Sequence, residues 1–340
     1  MTSSHRSTRG TTFTEMLVAI TIILAAVGMV APAYYGVRRG AQRMACMNAL
    51  SQIAAGMTVY AKNFDDWIIG SPYGSGAYLQ NQWQAWGPAV QTWDFMGPLE
   101  AQWNMGLAVV SKGDPDQVLA KRFNDLRGHY AFKCAGNDWL APRYIGPDAG
   151  VGPMVSYNTQ RLQLMPASDW MGGVATHHYP PVDWRPSIQR IGSPSNKIFC
   201  GDGARYSSCV DPPDYDLTCD QGFGGAFSDG GAYSAYSRSW DRCRAPGNAG
   251  APGGHDLTDV DARRYAFRHS TGSPPPGAAG NAYKGNFAFY DGHVDTMGDL
   301  DASSPFLWLP KGTVIEPASA EIWPDTMSHF GLGSTVEIGP

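Results

Sequence analysis

With 340 residues, the chain is long enough for one large or two modest domains in addition to a membrane anchor. Apolar residues make up 43% of it and charged residues 16%, which is enough for a core but a low charge content for a soluble domain. Because the net charge is −5 and no long basic block follows residue 45, the composition argues against a nucleic acid as partner.

The N-terminal part of the chain predicts a short leader followed by a membrane-spanning helix. Residues 1–10 are polar and carry two arginines, whereas Met16–Tyr35 contains 20 residues without a charge. At about 1.5 Å rise per residue this segment spans about 30 Å, the thickness of the hydrocarbon layer. Arginines flank both ends of it. We expect a single pass with the N-terminus in the cytoplasm and the cysteine- and aromatic-rich body outside.

Glu15 lies at the start of this helix, where a carboxylate is expected to need a partner. A cut after Gly10 would leave the apolar segment on the mature protein and create a new α-amino group at Thr11. That amine, on the same helix or on a neighbouring subunit, could neutralise Glu15. Alternatively, Glu15 only complements the dipole of the first helical turn.

The helix is predicted to continue to about residue 66. Pro32 lacks a backbone N–H and predicts a kink or loosening near Gly28. Residues 37–66 form the amphipathic half, which we expect to pack on a globular domain and to end at Asn63–Asp66. Its predicted apolar face comprises Gly40, Met44, Met47, Leu50, Ile53, Met57, Tyr60 and Phe64.

The order of these features closely resembles the class III signal of type IV pilins and pseudopilins. It consists of Gly10, then Glu15 five residues beyond the cut, an apolar run and Pro32. The resemblance implies that a prepilin peptidase cleaves after Gly10 and methylates the amine of Thr11, which stands where that family usually has Phe or Met. It also implies that Glu15 and Pro32 act in assembly, with the carboxylate docking one subunit onto the next.

The body, from residue 67 to 340, is predicted to consist of short elements in a loop-rich chain, because the sequence contains 41 glycines and 25 prolines. A loop-rich or disordered insertion is expected over about 204–284. Asp291-Gly292 separates two strand-like runs and predicts a hairpin with a type I′ turn. The predicted elements are a helix over Asp114–Leu126 and strands over Tyr130–Cys134, Val155–Leu164, Lys197–Cys200, Gly285–Tyr290 and His293–Met297.

The six cysteines favour disulfides over a metal site. No pair has Cys-x-x-Cys spacing, which argues against structural zinc. Clustered cysteines in a segment with few aliphatic residues are typical of disulfides in an oxidising compartment, although reduced buried thiols remain the alternative. The spacing does not determine the connectivity, and the candidate pairs are Cys46–Cys134 and Cys209–Cys219.

No motif in the sequence predicts an enzyme. The chain lacks both a P-loop and a Gly-x-Ser-x-Gly elbow. Asp202, His269, Asn286, Asp291 and His293 could converge on a metal or acid–base site, but their separation in sequence gives no sign that they do. A calcium site in the loop 211–220 has no EF-hand pattern to support it. We therefore predict no catalytic residue, no metal and no cofactor.

Several short motifs, in order, resemble a bacterial family of pilin-like proteins of unknown function. That family is marked by a C-terminal His…Asp-Gly motif, represented here by His269, Asp291, Gly292 and His293. The resemblance implies an α+β, pilin-like fold with a long N-terminal helix on an antiparallel sheet, and it carries no catalytic activity. The other matching segments are Arg43–Leu50, Phe132–Cys134, Ser156–Asn158, Pro194–Asp202 and Asn286–Val294.

Together these features predict a leader (1–10), a transmembrane and assembly half of the helix (11–36), an amphipathic half (37–66) and an extracytoplasmic domain (67–340). The predicted function is a membrane-anchored pilin- or pseudopilin-like subunit, minor or outside the shaft, of a pilus-like or type II secretion-type assembly. Its expected partners are prepilin peptidase, other pilin subunits and the lipid bilayer. The alternative is a cell-surface protein that binds a polysaccharide or similar polymer through aromatic residues of 206–240 and does not polymerise.

Overall fold

The computed structural model describes residues 12–71, 95–103, 129–137, 140–142, 151–153, 156–170, 178–203, 228–234, 265–270, 280–317 and 322–340. The predicted processing residues Gly10 and Thr11, the predicted helix over 114–126 and the candidate pair Cys209–Cys219 lie outside these ranges. The chain has an α+β architecture and divides into two units, Met1–Ala41 and Gln42–Pro340.

Helix α1 covers Phe13–Asn63, and local hydrogen bonds define both of its ends. At the start, Glu15 N donates to Thr12 Oγ1 and Thr12 N donates to Glu15 Oε2, which is a capping box. At the end, Asp66 N donates to Ala61 O, while Asp65 and Asp66 adopt positive φ angles of 50° and 60°. The predicted end of the helix is therefore correct. The helix continues through residue 32, and the predicted kink there stays a prediction.

The first unit exposes an apolar helix surface. Its large apolar side chains from Phe13 to Val37 are between 53% and 79% exposed. By length and composition, α1 could cross a membrane, and its most apolar 18-residue stretch is not buried at all. The structure thus contains the predicted apolar helix.

In the second unit, the remaining part of α1 contributes one face to the core. Leu50, Ile53, Met57 and Tyr60 are buried as predicted. The predicted face is wrong at its two ends, because Met44 and Phe64 are exposed. The buried face follows the helical period from residue 46 onward instead, and it comprises Cys46, Ala49, Leu50, Ile53, Ala54, Met57, Tyr60 and Ala61.

A five-stranded sheet contributes much of the rest of the core, in the order β6-β3-β5-β7-β8. The pairs β3–β5, β5–β7 and β7–β8 are antiparallel, whereas β3–β6 is parallel. Two smaller antiparallel sheets have the orders β1-β2 and β10-β9-β4. The strands are β1 Leu140–Pro142, β2 Val151–Pro153, β3 Tyr157–Gln160, β4 His178–Tyr179, β5 Ile198–Asp202, β6 Ser228–Asp229, β7 Lys284–Phe289, β8 Val294–Gly298, β9 Val314–Ile315 and β10 Val336–Glu337.

The other helices of the described chain are short. The α-helices are α2 Met96–Gln102, α3 Ala167–Trp170, α4 Asp299–Ala302, α5 Pro305–Trp308 and α6 Pro324–His329. The 3₁₀ helices are Tyr130–Phe132, Arg161–Leu164, Ile188–Arg190 and Pro194–Asn196.

Two predicted strands are wrong at least in part. Tyr130–Phe132 is a 3₁₀ helix because the His129 side chain accepts a hydrogen bond from Ala131 N and caps it. The strand predicted over 155–164 ends at Gln160, whose side chain accepts from Gln163 N and starts the next 3₁₀ helix. In both places a local side-chain hydrogen bond overrides the apolar run.

The predicted hairpin exists, but its turn is not of type I′. That type requires positive φ at both central residues, and of Asp291 and Gly292 only the glycine has one, at 96°. Gly292 N donates to Phe289 O, and Phe289 N donates to His293 O. These bonds define a three-residue loop, 290–292, with the glycine in the left-handed position.

The predicted insertion over 204–284 contains part of the core. Tyr233, Tyr265 and Phe267 are buried, and residues 203 and 265 form an antiparallel bridge. These aromatic residues of the segment therefore belong to the main core.

Candidate functional site

Four titratable side chains from distant parts of the sequence converge inside the second unit. Cys46 lies on the buried face of α1, and Cys134 follows the 3₁₀ helix Tyr130–Phe132. Asp202 ends strand β5, and His269 lies in the segment that runs beside β7. One ligand atom from each residue lies within 4.8 Å of the other three, and all four residues are buried. We call this set the Cys–Cys–Asp–His cluster.

The backbone explains why the cluster forms here. Asn286, in β7, donates its backbone N–H to Asp202 Oδ2 at 2.8 Å. His269 N donates to Lys284 O at the beginning of the same strand. Strand β7 therefore positions both the aspartate and the histidine, while a hydrogen bond from Gln42 Nε2 to Ala135 O joins α1 to the loop of Cys134.

The contacts within the cluster are close. Cys46 and Cys134 form a disulfide, one of the two pairings predicted. His269 Nε2 lies 3.0 Å from Asp202 Oδ2 and 3.3 Å from Cys134 Sγ. The side chains of His269 and Asp202 are 2% and 0% exposed, so water does not screen their interaction.

Groups around the cluster complete its polar environment. Gly136 N donates to Cys134 Sγ at 3.4 Å. Tyr157 OH donates to the carbonyl oxygens of Cys46 and Lys133. Burial, together with nearby Asp202 and Cys200, raises the pKa of Tyr157 well above its usual range, so its hydroxyl remains a donor.

Cys200 is the one described cysteine outside the disulfide. It is buried in β5, and burial, with a further contribution from Asp202, raises the pKa of its thiol well above the usual value. A buried thiol of this kind is not a nucleophile at neutral pH.

The arrangement supports two kinds of chemistry. As a disulfide, the two cysteines connect α1 to the loop after Phe132 across a sequence separation of 88 residues. As thiolates, they would join an imidazole and a carboxylate in a donor set that suits a zinc-type ion. A serine, threonine or lysine nucleophile is not among the four residues, and the pair His269–Asp202 has no opening to substrate comparable with that of a catalytic dyad.

The other predicted site residues do not join the cluster. Asp291 and His293 pair with each other at the exposed hairpin loop, where Asp291 Oδ1 lies 2.6 Å from His293 Nδ1. Partial burial raises the pKa of Asp291, but hydrogen bonds from His293 and its charge outweigh this effect, and the net shift is downward. His269 and Asp291 flank opposite ends of β7, so the His…Asp-Gly motif does not form one site.

Glu15 has local partners in its own helix. Both the backbone N–H and the hydroxyl of Thr12 donate to Glu15 Oε2, at 2.8 and 2.9 Å. The first helical turn thus provides hydrogen bonds to the carboxylate within one chain, which the sequence alternatives of a helix dipole or an α-amino partner did not include.

Of the aromatic residues proposed as a polymer-binding surface, Tyr233 is described and is 1% exposed. The others and the candidate calcium loop 211–220 lie outside the described residues. Tyr233 packs in the core, where His178 contacts its ring edge-on.

Sequence analysis identified every member of the cluster but did not combine them. Cys46 and Cys134 were predicted as a disulfide, and Asp202 and His269 as members of a different polar set. No spacing rule applies to ligands that come from four separate segments, because the tertiary contacts of α1, the loop after Phe132, β5 and β7 bring them together.

Comparisons with protein-family models, with curated proteins and with solved structures found no match.

Proposed function

We propose that the chain is a membrane-anchored, pilin- or pseudopilin-like structural subunit of a pilus-like or secretion-type assembly, processed by a prepilin peptidase. The observation that carries this proposal is helix α1, Phe13–Asn63. From Phe13 to Val37 its large apolar side chains are exposed, whereas from Cys46 to Ala61 one face of it is buried in a core. A contiguous exposed apolar surface of this size needs lipid or other protein to cover it.

The mechanism is structural. The first half of α1 inserts into the bilayer. It can later pack against the corresponding helices of other subunits instead of lipid, because Met16–Tyr35 carries no charge that would need a polar partner in either environment. The second half packs into the core of the globular domain, so that each added subunit carries a folded domain outside the membrane. The size of the body suits a minor or capping subunit better than the repeating shaft.

Processing is tested with Gly10→Glu, analysed by mass spectrometry of the membrane fraction. We expect the wild-type chain to begin at Thr11 and the variant to keep residues 1–10, because the glycine determines the cut. A wild-type chain that retains its leader would contradict the proposal.

Assembly is tested with two substitutions of Glu15. Glutamine at the third position of a helix can replace glutamate in a capping box, whereas alanine cannot. Glu15→Gln therefore keeps the local hydrogen bonds with Thr12 and removes only the charge, and Glu15→Ala removes both. If the charge pairs with a neighbouring amine, both variants insert in the membrane but lose incorporation into filaments.

Incorporation is measured by shearing filaments from cells and quantifying the protein in the sheared and membrane fractions. Normal incorporation of Glu15→Gln together with loss in Glu15→Ala would show that capping alone matters. A processed wild-type chain that never leaves the membrane fraction would favour the non-polymerising, cell-surface binding protein instead.

A further inference from the structure

We propose that Cys46, Cys134, Asp202 and His269 form a buried binding site for a zinc-type divalent ion when the disulfide between the two cysteines is reduced. Metal binding at this site does not depend on assembly into a filament. It would add a second cross-link, besides the disulfide, between α1 and the rest of the second unit. It also reverses the expectation, drawn from the absence of Cys-x-x-Cys spacing, that the chain has no metal site.

The donor atoms of the four residues suit a zinc-type ion. Two thiolates, one imidazole and one carboxylate are ligands that Zn²⁺ accepts in four-coordinate sites, and each of the four residues contributes one atom. In a tetrahedral site with Zn–N, Zn–O and Zn–S bonds of about 2.0–2.3 Å, neighbouring ligand atoms are about 3.3–3.8 Å apart. His269 Nε2 lies 3.0 Å from Asp202 Oδ2 and 3.3 Å from Cys134 Sγ, so these two distances are already close to that spacing.

The buried carboxylate of Asp202 favours a bound cation. Asp202 is completely buried, and its Oδ1 has no hydrogen-bond partner among the described residues. A buried carboxylate with an unsatisfied oxygen is costly unless a cation compensates it. A bound divalent ion would supply that charge directly, because one carboxylate oxygen of Asp202 lies within 4.8 Å of ligand atoms of His269, Cys46 and Cys134.

The groups behind the ligands also favour a bound ion. Asn286 N donates to Asp202 Oδ2, and Gly136 N donates to Cys134 Sγ. Hydrogen bonds of this kind orient metal ligands and stabilise their charged forms. Next to His269, Arg268 donates from Nη2 to Gly203 O, which brings a positive charge near a site whose ligands would give the bound Zn²⁺ a net charge of −1.

Conversion between the two states balances in electrons and protons. A small dithiol reduces the Cys46–Cys134 disulfide with two electrons and two protons, so that each cysteine becomes a thiol. The dithiol itself is oxidised to a cyclic disulfide. Binding of Zn²⁺ then releases both thiol protons, and the imidazole proton resides on Nδ1 so that Nε2 can bind the ion. The sulfurs move from bonding distance to about 3.8 Å apart, the spacing of two thiolates on one Zn²⁺.

Both states link α1 to the loop after Phe132, and the metal-bound state links two further segments to them. The disulfide joins α1 to the loop after Phe132, and the metal would join these two to β5 and the segment of His269. A reduced chain that folds before its cysteines are oxidised would thus already be cross-linked at this position by the metal.

The test uses the full chain in detergent, with the four other cysteines replaced by alanine so that only Cys46 and Cys134 can provide thiolates. The protein is reduced with a water-soluble phosphine, which takes up the oxygen of a water molecule and does not retain the metal. Co²⁺ is then added and the absorption spectrum is recorded. Four-coordinate Co²⁺ with thiolate ligands gives a near-ultraviolet charge-transfer band and visible bands that neither aqueous Co²⁺ nor an oxygen-only site gives.

We expect the reduced protein to bind one Co²⁺ with these bands, Zn²⁺ to displace it, and the oxidised protein to show none of them. His269→Ala and Asp202→Asn should each weaken binding by about 100-fold, since even residues behind the ligands commonly contribute about 10- to 100-fold. Asp202→Asn keeps the shape of the side chain and an acceptor for Asn286 N, which makes it the variant that best preserves the fold.

Two controls make the result interpretable. His293→Ala removes an exposed histidine that lies outside the cluster and should leave binding unchanged. Melting curves of each reduced variant without metal show whether it is folded. The proposal is overturned if the folded, reduced protein gives no thiolate–Co²⁺ band, or if folded Asp202→Asn and His269→Ala bind Co²⁺ as tightly as their parent.

Discussion

Lys197 is a buried lysine, and its hydrogen-bond partners among the described residues are two backbone carbonyl groups. It is 1% exposed, and its Nζ donates to Phe306 O at 2.8 Å and to Gly339 O at 3.3 Å. Burial lowers its pKa from 10.5 to about 8. Because the unfolded chain then binds more protons than the folded chain between about pH 8 and 10.5, Lys197 makes the folded state more stable as the pH rises through that window.

The prediction concerns the difference between the wild type and Lys197→Met. Between pH 7.5 and 10.5 the free energy of unfolding of the wild type should rise relative to that of the variant, by up to about 3 kcal/mol. Denaturant unfolding at several pH values measures this difference. Lys311→Met, at an exposed lysine, serves as the control and should change with pH as the wild type does. Equal pH dependence of wild type and Lys197→Met would show that Lys197 keeps its ordinary pKa.

The dipeptide Asp291-Gly292 predicted the presence of a turn but not its type. Gly292 has the positive φ predicted from Asp-Gly, because glycine has no Cβ to strain against its own backbone in that conformation. The predicted type I′ turn failed at Asp291, since the register of β7 and β8 leaves three residues rather than two for the loop. The dipeptide indicates that a turn exists but does not determine which residues are paired.

At the scale of the sheet, close packing depends on a glycine opposite an aromatic ring. Gly201 in β5 pairs with Phe287 in β7, and a Cβ on Gly201 would lie 2.3 Å from Phe287 Cδ1. Phe287 is buried and contacts Trp308 edge-on, so its ring has little room to move.

Gly201→Ala should therefore lower the free energy of unfolding by about 1–3 kcal/mol through overpacking. Gly333→Ala is the matched control, because a Cβ there has no neighbour within 4 Å and the residue has no positive φ. It should change stability by less than about 0.5 kcal/mol. Denaturant unfolding measures both, and similar losses in the two variants would contradict this account.

The elements that sequence patterns predicted best are the long or tightly bounded ones. Helix α1 was expected because its apolar period extends over many turns, and β7 because its apolar run ends at a turn signal. Short segments such as Tyr130–Phe132 were assigned to the wrong class. Over three or four residues, a side-chain hydrogen bond such as that to His129 Nδ1 outweighs any periodicity.

For the whole molecule, the boundary of the folded body lies inside α1 rather than after it. Residues 37–66 were predicted to pack on a globular domain of residues 67–340, and the core indeed includes Cys46, Leu50, Ile53, Met57 and Tyr60 from the helix. In contrast, none of residues 12–30 and 33–41 is buried.

A chain starting at residue 42 should therefore fold, whereas a chain starting at residue 66 should not. Removing a buried Leu, Ile or Met side chain typically costs about 2–5 kcal/mol, so losing the whole buried face exceeds a usual domain stability of about 5–15 kcal/mol. Near-ultraviolet circular dichroism and cooperative thermal unfolding distinguish the two. A cooperative transition in the shorter chain would show that α1 is not part of the core that stabilises the body.

The sequence by itself determined the features that depend on neighbouring residues. These are the apolar length of α1, the end of the helix near Asn63 and the turn at Gly292, since each follows from helical periodicity or from the conformations of neighbouring residues. Only the tertiary structure decided which distant side chains meet. Asp202 meets His269 because Asp202 ends β5, His269 is hydrogen-bonded to the start of β7, and these two strands pair in one register. A shift of one residue would turn the side chain of Asp202 to the opposite face of the sheet.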